Sequence, residues 1–337
     1  MASGSGAHKS NVKGLDLSVD WELVTSNGPS LAFHVGCALG NGIYIHGGIE
    51  TKDGKQPSDK LFRYNSSSQS WQEVHAAGSP ALSHHACVPL AGRYMLLIGG
   101  WDGKSRTAKV VAFDSEKQQW LPQETSGFPG DAGLSSHTAT LLASGEIIIF
   151  GREGSLRMQR RHGNSYILSG SVQSGHFTFK EFTNAAASRS GHTSNIIGNK
   201  LYVVGGRENN LIEIHDRLKS GESDNQTITT KLLSIAEKVT PMSKLPGGRK
   251  NHITINGTGV LFFHGGDTFD GRSRESVGEM FLITLKPTMQ FYKLGESRVR
   301  RSGHICCIIG DKVILHGGLG GKNNSHVYSD TFSLEFK

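Results

Sequence analysis

The residues best equipped for chemistry are histidines, and six of them recur in phase: His34, His85, His137, His192, His252 and His304. Imidazoles could bind a transition metal or shuttle protons. Recurrence argues against both roles. An active site is needed once, whereas a side chain that holds a fold together is needed in every copy. The six are therefore read as structural, and no metal and no cofactor are expected. The adjacent pair His84–His85 does not make a metal site, because neighbours along a strand point to opposite faces. The four cysteines, Cys37, Cys87, Cys306 and Cys307, form no CxxC pair and no zinc-ligand spacing. Tyr44 and Tyr94 could be set beside Cys37 and Cys87 as a crosslinked copper centre, but all fall at strand-packing positions. The chain is expected not to be an enzyme. A metal- or small-molecule-dependent enzyme on the same scaffold is the alternative, and stoichiometric copper, iron or zinc in purified protein would favour it.

The second chemical pattern is cationic. Three residues before the repeat histidine stand Leu31, Leu82 and Leu134 in the first copies, and Arg189, Arg249 and Arg301 in the later ones. Arg152 and Arg207 follow glycines nearby, and Trp101 lies in the same class of loop. Guanidinium groups bind carboxylates in two-pronged fashion. The pattern predicts a face, apolar on one half and basic on the other, that binds a protein or an acidic peptide. Glu153, Glu208, Asp102 and Asp267 are close in sequence and could pair with these arginines instead, which would make them structural.

The elements that position these residues follow from the glycines. An apolar run ends in glycine six times, at Gly47-Gly48, Gly99-Gly100, Gly151-Arg152, Gly205-Gly206, Gly265-Gly266 and Gly317-Gly318. The steps between first glycines are 52, 52, 54, 60 and 52 residues, and each repeat histidine stands 13 or 14 residues before its glycine. Tyr64 precedes Trp71 by seven residues, as Phe113 precedes Trp120, and Phe179 and Phe291 hold the corresponding place later. Each unit reads as four short strands. In an antiparallel unit the segment before the histidine and the segment after the glycines share one face. The 60-residue step contains an insertion, about 220–248, in which Thr229–Val239 reads as an amphipathic helix. Leu232, Ile235, Ala236 and Val239 share its apolar face, Pro241 stops it, and it is expected to lie on its own unit.

With its double glycines and phased aromatics, the chain resembles the kelch-repeat family over nearly its whole length. Leu82–His85, Gly99–Gly103, Gly133–His137, Gly151–Gly154 and Gln159–Arg161 carry a similarity to a narrower branch, which the Gly-Arg of unit three suits. The resemblance implies an all-β fold, a six-bladed β-propeller in which each unit is one blade. It also implies a protein-interaction module. Some members are substrate receptors of ubiquitin ligases, and the narrower branch implies a cyclin partner. The segment before His34 is too short for a BTB domain, and no cullin-adaptor segment follows the last strand. Thr331–Lys337 reads as the third strand of the sixth unit, and Trp21–Val24 precedes His34 by the same 13 residues as a fourth strand would. Residues 16–337 are therefore expected to form one propeller closed by this N-terminal outer strand, with 1–15 a disordered tail.

Composition sets the remaining bounds. The 337 residues carry a net charge of +7, and no apolar run is long enough to span a bilayer. The start lacks the apolar core of a signal peptide. A cytoplasmic or nuclear, monomeric protein is expected. The densest basic patch, Arg157–His162, falls short of a nucleic-acid signature and reads as a solvated loop.

Overall fold

Unit one shows how the repeat becomes sheet. Val35–Leu39 pairs antiparallel with Gly42–His46, then Leu61–Asn65, then Ser70–Glu73. The first strand alternates buried and half-buried positions, as a strand with one face on a channel should. The second is buried at every residue, because neighbouring units cover both its faces. The computed structural model describes residues 20–130, 132–153, 165–183, 188–206, 211–215, 218–222, 224–243, 247–269 and 274–336. The expected 1–15 tail, the basic patch Arg157–His162, Arg207 and Glu208 lie outside them.

Unit five repeats the four-stranded pattern with Ile253–Gly257, Val260–His264, Glu279–Thr284 and Gln290–Glu296. Unit four shows three strands among the described residues: His192–Ile197, Lys200–Gly205 and Leu211–His215. Units two and three are fused into one eight-stranded sheet, because His176–Thr178 pairs in parallel with Glu124–Ser126 across their outer edges. Unit six contains Ile305–Ile309, Lys312–His316 and Thr331–Glu335, and its sheet is extended by Glu22–Thr25, with Glu22 opposite Ser333.

The first strands lie side by side in a circuit. Val35–Leu39 touches Ala86–Leu90, and contact passes in turn to Thr138–Leu141, His192–Ile197, Ile253–Gly257 and Ile305–Ile309, which touches Val35–Leu39 again. Each successive pair of units, the sixth with the first included, shares one apolar cluster. A ring of backbone hydrogen bonds runs around the axis just before the repeat histidines. The amide of Phe33 donates to the carbonyl of Gly303, His84 to Phe33, Ser136 to His84, Gly191 to Ser136, Asn251 to Gly191 and Gly303 to Asn251, at 2.7–3.0 Å. All six residues have φ between 53° and 68°. Left-handed backbone is costly for Phe33 and His84, and the ring it closes is what offsets that cost.

The helix spans Gln226–Glu237, three residues earlier than the apolar pattern predicts at its start. Asn225 caps it, its side chain accepting from the Ile228 amide at 3.0 Å. It turns out not to lie on unit four. Ile228, Leu232, Ile235 and Ala236 join the apolar cluster of units five and six, together with Trp21. The close approach is possible because Gly257 has no side chain: a Cβ there would meet Thr229 at 2.6 Å.

Candidate functional site

The histidine–glycine spacing has a steric cause that crosses the unit boundary. The Cε1 of each repeat histidine packs against the first glycine of the preceding unit, His85 over Gly47 and His34 over Gly317 among them. A Cβ on any of Gly47, Gly99, Gly151, Gly205, Gly265 or Gly317 would stand 2.5–2.9 Å from that Cε1. The second glycine makes room for the histidine of its own unit: a Cβ on Gly48, Gly100, Gly266 or Gly318 would meet that side chain's Cβ at 2.7–2.9 Å. On Gly206 it would meet Arg189 instead. In unit three this place is taken by Arg152, 3% exposed, its guanidinium 5.8 Å from the Phe128 ring centre.

All six repeat histidines are buried. Burial holds His192 and His252 down at about 3 and His137 at about 4, and pushes His34, His85 and His304 well below the usual imidazole range. Three further histidines, missed on spacing alone, stand directly before the glycines. His264 Nε2 donates to the Val299 carbonyl at 2.9 Å, so its Nδ1 accepts from His304 Nε2 at 3.2 Å. His46 Nδ1 meets His85 Nε2 at 3.0 Å. His316 bridges the Pro29 carbonyl and the Thr331 hydroxyl, which in turn accepts from Trp71 Nε1 at 2.8 Å. The signal was legible as His-Gly-Gly at 46–48, 264–266 and 316–318. Among the described residues no three His, Cys, Asp or Glu side chains gather to hold a metal.

The arginines expected to form a basic rim are instead buried between units. Arg189, Arg249 and Arg301 are 2%, 4% and 5% exposed, and the leucines at the same position, Leu31, Leu82 and Leu134, are buried too. The reason is a backbone bond. The carbonyl at this position accepts the amide that follows the first glycine of the preceding unit, as in Gly48 to Leu82, Arg152 to Arg189 and Gly206 to Arg249. The side chain is thereby turned inward. Arg189 donates to the Gly205 carbonyl at 2.7 Å. Arg249 donates to Gly265 and to the Glu279 carboxylate at 2.7 Å, and Arg301 pairs with Asp330 over the Tyr328 ring. The neutralising acids come from the third strand and its approach, not from the loop residues near in sequence. Arg249→Ala should therefore cost about 2–4 kcal/mol of stability, at the lower end because Glu279 keeps some solvent. Chemical denaturation checks this; an unchanged midpoint contradicts the buried pair.

What the loop face presents near the axis is a different set. Phe33 stacks on His84 with ring centres 4.2 Å apart, and its ring lies over Gly303. Lys250 lies over Gly191 and reaches Glu153 at 3.6 Å, which Arg106 also approaches at 3.5 Å. Two cations share one carboxylate here. Asn251 donates to Asp267, which also pairs with Arg274. Phe33, His84, Ser136, Gly191, Asn251 and Gly303 line a cavity of about 130 Å³ at the axis, with the repeat histidines beneath them. Trp101 sits further out, half-buried, its indole N–H 3.4 Å from the Lys55 carbonyl of the neighbouring unit.

A family model described as the KLHDC2/KLHL20/DRC7 Kelch-repeats domain matches residues 16–206, more than half of the chain. The chain belongs to the kelch-repeat family. It is similar to human kelch domain-containing protein 9, with 30% identity over 86% of this chain and 87% of that protein. It is 24% identical to bovine kelch domain-containing protein 3, over 94% of this chain and 87% of that one. A solved structure titled "Structure of YjhT" superposes with a TM-score of 0.67 at 12% identity, covering 93% of this chain and 97% of that one. The fold is thus an all-β kelch propeller with one described α-helix. Kelch-repeat proteins generally bind other proteins, and generally serve as interaction modules rather than enzymes. No helix among the described residues is long and apolar enough to cross a membrane.

Proposed function

We propose that residues 16–337 form one six-bladed propeller, its sixth blade completed by Glu22–Thr25, that binds a protein or acidic peptide on the loop face without catalysing a reaction. The circuit of first strands and the axial ring of six hydrogen bonds support the blade count. The observation that carries the binding reading is the shared carboxylate. Arg106, Lys250 and Glu153 leave one positive charge in excess beside the Phe33–His84 stack. A partner carboxylate can replace or join Glu153 while an apolar residue covers the stack. Arg189, Arg249 and Arg301 act in this reading as buried supports of the loops, and Trp101 as an outer contact.

The test is peptide selection on the immobilised protein, followed by affinity measurement with R106E/K250E. Affinity for an acidic peptide should fall about tenfold or more, through roughly 0.5–1 kcal/mol for each charge removed and a repulsion for each one reversed. The loss should shrink as salt rises. An acidic peptide bound as tightly by the double variant would place the binding surface elsewhere.

A further inference from the structure

The insertion of unit four does more than add a helix. Its segment Leu218–Glu222 is tied across the far end of unit three, away from the loop face. The Ala143 amide donates to the Lys219 carbonyl and the Gly221 amide to the Leu141 carbonyl, each at 2.9 Å, and Leu218 is buried in the cluster of units three and four. Gly221 is needed for the approach, since a Cβ there would meet the Leu142 carbonyl at 2.6 Å. This strap sets Ser220 and Glu222 at the edge of an axial cavity of about 380 Å³.

The cavity wall mixes polar groups with apolar ones such as Val35, Ala139 and Ile253 and, among the described residues, lacks cations. Thr140, Ser194, Asn195, Thr254 and Asn256 supply hydroxyls and amides, and among the described residues Glu222 is the one carboxylate and no lysine or arginine lines the space. That contrasts with a chain whose net charge is +7. Four repeat histidines, His34, His137, His252 and His304, line its deeper part. Each is buried and has a ring Nδ1 without a hydrogen-bond partner. Glu222 is itself exposed at the rim, and the neighbouring protein atoms push its carboxyl above the usual carboxylate range. A carboxylate at the rim, hydroxyls and amides along the wall and no described cation favour a ligand that donates hydrogen bonds and carries positive charge. The volume is in the range of small-molecule sites.

We propose that this cavity is a binding site for a small aliphatic amine, an ammonium group paired with Glu222 and its stem in the channel. It is separate from the loop-face site, and neither depends on the other. The probe is 1,4-diaminobutane, measured by titration calorimetry against sorbitol and citrate. The diamine should bind, the polyol more weakly, and citrate not at all. Glu222→Gln should weaken the diamine at least tenfold. Ala139→Leu, which narrows the channel and leaves the strap intact, should do the same; both variants are first shown to melt like the parent. No diamine binding, citrate binding as well as diamine, or loss with Glu222→Gln but not with Ala139→Leu would each overturn the proposal, the last by placing the amine on the surface.

Discussion

Lowering the pH from 7.5 to 5.5 should remove most of the stability of this protein, well before its carboxylates titrate. Ten histidines are held neutral by burial: His46, His192, His252 and His264 at about 3, His84, His137 and His316 at about 4, and His34, His85 and His304 well below the normal range. In the unfolded chain they protonate near pH 6.5. The folded state therefore binds fewer protons, and its stability is complete above pH 6.5 and falls as the pH drops through that value towards 3–4. Each group contributes about 1.4 kcal/mol for each pH unit below the unfolded pKa. Repulsion among the new imidazolium charges of the unfolded chain, and residual structure in it, lower this. Even about half the full sum by pH 5.5 would be roughly 7 kcal/mol, comparable with the whole stability of an ordinary domain, about 5–15 kcal/mol. Thermal melts across pH 5–8 should show a steep fall below 6.5, with uptake of several protons on unfolding. A melting temperature flat down to pH 4.5 would refute the neutral inter-unit histidines. His192→Gln, which cannot titrate, should reduce the proton uptake by about one.

That same burial explains what the sequence shows plainly. Where His85 must pack on Gly47, no side chain is tolerated, so the spacing is repeated wherever two units meet. A steric need leaves a regular trace. The direction of Arg249 leaves none. Its place three residues before His252 is evident, but its burial depends on a backbone bond to Gly206 and on Glu279, 30 residues downstream, which only the strand register brings near. The Phe33–His84 stack is hidden for another reason. It needs left-handed backbone at residues whose types do not announce it, and the closed ring of amides is what holds them there. The helix was legible in its apolar face but not in its destination. Leu232 and Ile235 indicate a partner surface, and nothing in the local pattern distinguishes unit four from the seam of units five and six.

Deleting residues 1–26 should destabilise the chain severely, whereas deleting 1–15 should not. The difference lies in Trp21 and the strand behind it. Trp21 is 3% exposed, in one cluster with the helix and units five and six. Its ring lies 5.2 Å from that of His264, as Trp120 lies 5.1 Å from His46 and Trp71 4.4 Å from His316. Each outer-strand tryptophan thus covers the histidine before the glycines of the preceding unit, and Trp21 takes that place for unit six although it comes from the other end of the chain. Trp21→Ala should cost about 3–5 kcal/mol, a fall in melting temperature on the order of 10 °C. The 1–26 truncation loses more. It removes the pairing of Glu22 with Ser333 and the Asp20 carboxylate that accepts from Ser297 at 2.6 Å, and leaves the edge of Thr331–Glu335 open. An open edge recruits strands from other chains, so the truncated protein should also self-associate. A synthetic peptide of residues 16–26 should restore its melting temperature by occupying the vacant edge. A truncation that melts like the full chain and stays monomeric would mean that the ring does not depend on this strand.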